Sequence, residues 1–163
     1  MNDQEATFQQ RLVDSGLFQS ALMAYRTLAN VGPLVFRGVT TFEKLPGALT
    51  ALSTELSLMH NPDYFQPQEI EVAKKRRAVE TVLELERGAG LAHSLANWWS
   101  VAGIEYFLGY GDNLSARSLG EVQAFVERYL IGRPFIIGAL VAPERARVTS
   151  EMLGQYLLLV NER

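Results

Sequence analysis

The sequence contains no cysteine. That excludes disulfides and thiolate metal sites in this stretch, and it leaves the redox compartment open. Histidine is scarce, with only His60 and His93, far apart in the chain. No apolar run approaches the roughly 20 residues that cross a bilayer. Charge of one sign is also lacking. Fifteen Lys and Arg stand against 18 Asp and Glu, a net charge of −3. A chain without a basic footprint is not expected to bind nucleic acid. The opening MNDQEATFQQ is polar and acidic, with no signal-peptide core. What remains is ordinary: 48% hydrophobic and 20% charged over 163 residues, enough for one domain with a real core. The expected setting is soluble, in a bacterial cytoplasm or periplasm.

The most legible stretch runs from Ser118 to Pro143. Ser118 is a good N-cap, and Glu121 three residues on completes a capping-box pattern. Val122, Phe125, Val126 and Tyr129 repeat at helical spacing and give one apolar face. Gly132 ends that helix. Phe135 to Val141 is almost unbroken and apolar, which predicts a covered strand stopped by Pro143.

Taken in order, Glu5 to Val13 reads as the end of a helix, closed by Asp14-Ser15-Gly16. Leu17 to Leu28 reads as a strand, with Leu22, Ala24 and Tyr25 pairing across a sheet. Asn30 to Pro33 is a turn. Leu34 to Thr40 is a second strand, with Leu34, Phe36 and Gly38 on one side; Gly38 marks a bulge or a close backbone approach. The pair predicts an antiparallel hairpin. Glu43 to Met59 is a helix with a stripe of Leu45, Leu49, Leu52, Leu56 and Met59, and Pro46 sits in its first turn. Pro67 to Arg87 is the longest helix, with Ile70, Ala73, Arg77, Val79 and Leu83 beside a charged face. Gly88-Ala89-Gly90 interrupts it. Leu91 to Val101 and Ile104 to Tyr110 follow as helices, and Gly111-Asp112-Asn113 is a loop. Glu144 to Val160 is a last helix or the start of a linker. The expected class is α+β, a small, mostly antiparallel sheet with helices on one face, in one domain spanning 1–143 with 144–163 appended.

Several of these segments carry a family resemblance. Arg11-Leu12-Val13-Asp14-Ser15-Gly16-Leu17 through Tyr25 follows the pattern l-x-x-x-L-v-d-S-G-L-a-x-s-v-x-a-x-y. Gly32 to Thr40 follows g-x-f-x-i-x-g-x, and Ala48 to Leu56 follows a-l-x-x-i-x-x-e-l. Glu69, Glu71 and Ala73-Lys74 fit t-x-e-E-l-e-x-a-k. The helix after Ser118 and its apolar sequel fit s-x-x-d/e-V-q-x-f/a-x-x-Y-l with a closing strand. In this order, over roughly residues 8 to 143, they resemble the later part of a domain in the pitrilysin/insulinase family of zinc peptidases, which includes the mitochondrial processing peptidases. Each motif is weak alone; their joint order is what is specific.

The resemblance implies an incomplete processing-peptidase-like metallohydrolase fold. It also implies a non-catalytic role, because the family's zinc motif H-x-x-E-H is missing. In that motif two histidines one turn apart hold zinc and the glutamate activates water. Zinc would therefore sit in a partner catalytic half, and this chain would hold none. The implied partners are that zinc-bearing half and an extended peptide, with self-association through any sheet edge left uncovered. The alternative is a stand-alone assembly module of the same descent with no peptidase role.

Other residues are weighed on their own chemistry. His60 reads as a helix-end or surface residue and His93 as a partly buried one. Glu80 and Glu84, with Glu86 nearby, could be paired carboxylates for acid–base work, which would make the chain an unrelated α+β hydrolase. They sit among Glu69, Glu71, Lys74, Lys75 and Arg76, the alternating pattern of a solvated helix face. The run Lys74 to Arg77 is flanked by acids and is a poor anion site. Trp98-Trp99 points two rings about 100° apart, so either both are covered or one meets a partner. Arg11, Arg37 and Arg133, near strand ends, are the candidates for a peptide carboxylate, which a guanidinium meets bidentately. No catalytic or metal residue is assigned.

Overall fold

A short, mostly apolar run such as Ser20–Tyr25 forms a strand once a second strand can pair with it. Leu34–Val39 supplies that partner. In the computed structural model, which describes residues 6–30, 32–142, 148–149 and 151–155, these are β1 and β2 of a two-stranded antiparallel sheet. The Gln19 N–H donates to the Val39 carbonyl (2.7 Å) at the open end, and the Arg26 N–H donates to the Pro33 carbonyl (3.1 Å) towards the turn. Val31, within the expected turn, lies outside the described residues. The chain also forms α1 (Thr7–Gln9), α2 (Leu45–Leu58), α3 (Pro67–Leu85), α4 (Gly88–Val101), α5 (Ile104–Leu108), α6 (Tyr110–Ser115) and α7 (Leu119–Tyr129), besides a π-helical turn after α1 and a helical stretch at 151–155. The class is α+β. The described residues divide into two compact units.

The first unit holds the described residues up to Met23, then Phe36–Tyr64, then those from Gln123 on. Its core is aromatic and aliphatic: Phe8, Leu12, Phe18, Ala48 and Met59 are buried. α1 runs into a π-helical turn at Gln10–Asp14, and Gly16 closes it with φ +75°. The Phe36 ring meets Phe8 and Phe18 edge-on, with centroids 6.0 and 5.5 Å away. On β1 Ala21 and Met23 are buried, Leu22 and Ala24 point to the opposite, exposed face, and Tyr25, on the side of Ala21 and Met23, is exposed at the strand's end. The side-chain period of two allows either face to be buried, and the aromatic cluster selects that of Ala21 and Met23.

Gly38 is the close approach its place in a strand suggests. A Cβ there would lie 2.6 Å from the Phe18 ring and 3.0 Å from that of Phe36. Gly38→Ala is therefore expected to lower unfolding free energy by about 1–3 kcal/mol, read by urea titration. A loss below about 0.5 kcal/mol would mean that the rings move aside freely.

The second unit holds the described residues of Ala24–Val35 together with Phe65–Val122. α3 begins with a capping box: the Gln66 N–H donates to Glu69 (3.1 Å), and Pro67 takes the first position. α4 packs on α3, and α5 and α6 pack on α4, α3 and each other. α4 starts at Gly88, so Gly88-Ala89-Gly90 belongs to a helix instead of interrupting one. A Cβ at Gly90 would collide with the Glu84 carbonyl oxygen, so this helix start needs glycine where it meets the end of α3. Gly111-Asp112-Asn113, expected as a loop, lies inside α6. No residue of α3 is fully buried, and Val72, Val79 and Leu83 are more than half exposed along one face.

α7 starts as its capping box predicts. The Ser118 N–H donates to the Glu121 carboxylate (2.7 Å), and the Glu121 N–H donates to the Ser118 hydroxyl (3.3 Å). These Ser118 bonds hold the Glu121 carboxyl below its ordinary range. A depressed carboxyl stabilises the fold above its unfolded value, near pH 4.5, and that stability fades as pH falls through the lower folded value. Ser118→Ala is expected to flatten the acid limb of the pH–Tm curve. An unchanged limb would remove the cap from the account.

The expected strand at Phe135–Val141 is absent. Gly132 (φ +63°) turns the chain out of α7, and residues 133–142 take no regular structure. Ile136 and Leu140 have fractional exposures of 97% and 103%. A strand forms only against a neighbour that accepts its backbone hydrogen bonds, and no described strand pairs with this one. Pro143 and most of the expected last helix lie outside the described residues; the described part, 151–155, is helical.

Candidate functional site

Four helices of the second unit line a cleft of about 240 Å3. Arg77, Thr81, Glu84 and Leu85 repeat at helical spacing along α3 and share its cleft-facing side. α4 contributes Ser94 and Trp98, one turn apart. Phe107 and Leu108 come from α5, and Tyr110 and Gly111 from α6. The Trp98 ring lies 5.3 Å from both Tyr106 and Tyr110, an aromatic floor that fixes the start of α6.

Two opposite charges face this space, each held by a neutral group. Arg77 donates its Nε–H to the Tyr110 hydroxyl (3.3 Å), and its guanidinium stacks 5.7 Å from that ring's centroid. This hydrogen bond holds the guanidinium pKa above its ordinary value. The buried Ser94 hydroxyl donates to Glu84 Oε1 (2.9 Å). Glu80 stands apart, paired with Arg76 (2.9 Å) and 3.8 Å from Arg77. The two carboxylates expected as a possible acid–base couple therefore do different things. Lys74 is likewise taken up, by Glu71 (2.9 Å) and the Ser115 carbonyl (3.2 Å).

The three candidate arginines belong to the first unit, and their roles diverge. Arg11 does bind a carboxylate, but an internal one. Its Nη1 lies 3.3 and 3.4 Å from the Glu55 oxygens, while Tyr64 donates to the same carboxylate (2.6 Å). Glu55 is the one acidic side chain among the described residues buried in a core, and apolar spacing along α2 gave no sign of it. Arg133 donates to the Arg128 carbonyl (2.8 Å), satisfying the end of α7. Arg37 is exposed on β2, and its side chain makes no hydrogen bond or ion pair among the described residues.

His60 pairs with Glu127 of α7, a helix also tied down by Gln123, which donates to the Pro62 carbonyl (2.8 Å). His93 is exposed on α4, not partly buried as expected, and its side chain makes no hydrogen bond among the described residues. Among the described residues no group of three or more histidines, aspartates and glutamates is placed to hold a metal ion. No described helix is long and apolar enough to cross a membrane. Trp98 is half-buried and Trp99 is 76% exposed, beside a shallow apolar depression formed with Leu95, Ala96 and Ile104.

Sequence reasoning singled out Glu84 and Trp98 but missed Ser94 and Tyr110. The spacing of Ser94 and Trp98 on α4 was a usable signal; Tyr110 was hidden beside an apparent loop. Comparison with models of known protein families, with curated proteins and with solved structures finds no match to this chain.

Proposed function

We propose that the chain is a non-catalytic, partner-binding module of a pitrilysin-like zinc peptidase. It forms one wall of a chamber that holds extended peptides while a zinc-bearing half performs hydrolysis. The observation that carries this reading is the irregular run at 133–142, in which Ile136 and Leu140 are exposed. Its sequence, RPFIIGALVA, has the composition of a strand covered on both faces, yet Ile136 and Leu140 stand fully in solvent. Burying each such side chain is worth about 1.5–3 kcal/mol. A partner that supplies a strand edge and an apolar face gains that energy and satisfies the backbone. Arg37, exposed on β2, is the arginine left for a peptide carboxylate.

The second reading, a stand-alone assembly module, is favoured by a different surface: Trp99 with Leu108 around α4 and α5, and the ridge Val72, Val79 and Leu83 on α3. One experiment separates the two. The purified chain is mixed with a zinc-bearing half of a pitrilysin-type peptidase, and complex formation and peptide hydrolysis are followed together. The first reading predicts a one-to-one complex, hydrolysis only in the mixture, and binding weakened at least about 100-fold by Ile136→Lys with Leu140→Lys. Full hydrolysis by the zinc-bearing half alone, with no complex, overturns it. Binding that responds to Trp99→Ala and not to the lysine pair supports the second.

A further inference from the structure

We infer that the cleft between α3, α4, α5 and α6 binds a small zwitterion with apolar side chains, no longer than a dipeptide, its carboxylate on Arg77 and its ammonium on Glu84. This does not depend on the peptidase reading.

Opposite charges in a shared cleft ordinarily neutralise each other. Here neutral groups make the hydrogen bonds, Tyr110 to Arg77 and Ser94 to Glu84, with Glu80 as a looser ion-pair neighbour of Arg77 at 3.8 Å. Both ions keep bonding capacity. Of the Arg77 donors, Nε is committed, while Nη1 lies 3.8 Å from Glu80, too far for a hydrogen bond. Glu84 Oε1 is committed and Oε2 has no partner among the described residues. The holding groups are themselves fixed, Ser94 by burial and Tyr110 by Trp98 and the guanidinium. Such a site is organised before its ligand arrives.

Size and lining then restrict the ligand. Arg77 and Glu84 are two turns apart on α3, about 10 Å between backbones, and their side chains shorten that span. It suits the two ends of a very short peptide. The volume of about 240 Å3 is below the roughly 300–1,000 Å3 of drug-sized pockets. Leu85, Trp98 and Phe107 line the rest, which favours aliphatic side chains over charged ones.

The test is calorimetric titration of the full chain with leucine, leucyl-leucine, N-acetyl-leucyl-leucine and leucyl-leucinamide. A zwitterion is expected to bind saturably, with each blocked terminus weakening binding at least about tenfold. Glu84→Gln, which retains an acceptor for Ser94, should abolish the preference for a free amine and keep that for a free carboxylate. Arg77→Gln should do the reverse, with thermal melts confirming that both variants fold. No saturable heat with leucine or leucyl-leucine at millimolar concentration overturns the inference. So does equal binding of free and blocked peptides, or a uniform loss in Glu84→Gln.

Discussion

Phe8→Ala is expected to cost about 3–5 kcal/mol of unfolding free energy, the range for emptying a buried aromatic site. Phe8 is 1% exposed and lies against Phe36, the ring that also meets Phe18. α1 is only three residues long and runs into a five-residue π-helical turn, so their place depends on this burial. Removing the ring empties a space that backbone geometry cannot close. Leu140→Ala is the control: fully exposed, it should change the stability of the isolated chain by less than about 0.5 kcal/mol. Denaturant titration of both variants checks the contrast. Equal small losses would mean that the aromatic cluster is not the core of the first unit.

Arg11→Met is expected to cost about 1–3 kcal/mol, through the carboxylate it leaves behind. The Glu55 side chain is 4% exposed, so without Arg11 its remaining hydrogen-bond partner among the described residues is the Tyr64 hydroxyl. Losing one partner of a fully buried pair costs about 3–5 kcal/mol, but Arg11 is 49% exposed and water already screens part of the interaction. Glu55→Gln in the Arg11→Met background should recover part of the loss, because a neutral amide still accepts from Tyr64. A double-mutant cycle measures the coupling. A loss below about 0.5 kcal/mol in the single variant would make the pair incidental and return Arg11 to the candidates for binding peptide.

Features specified by local chemistry were legible in the sequence. The Ser118–Glu121 box, Pro67 at the head of α3, Gly16 and Gly132 at positive φ and the β1–β2 hairpin all lie where residue type and spacing place them. What was not legible depends on partners distant in sequence. Gly111-Asp112-Asn113 has turn chemistry, yet Tyr110, anchored on Trp98 and Arg77, begins a helix there. Ala21 and Met23 face inward because an aromatic cluster occupies that side. The cleft was half visible: Arg77 and Glu84 share a face of α3, but the groups that hold them come from α4 and α6. Residues 135–141 read as a buried strand because apolar composition reports a need for cover, not its presence.

That need is the centre of the account, and amide hydrogen exchange at 134–142 tests it most directly. The exchange is measured in the chain alone and in the chain mixed with a zinc-bearing half of a pitrilysin-type peptidase. The account predicts exchange at nearly the unstructured rate in the isolated chain and strong protection in the mixture, lost again with Ile136→Lys and Leu140→Lys. Protection already present in the isolated chain, or none gained in the mixture, would contradict it.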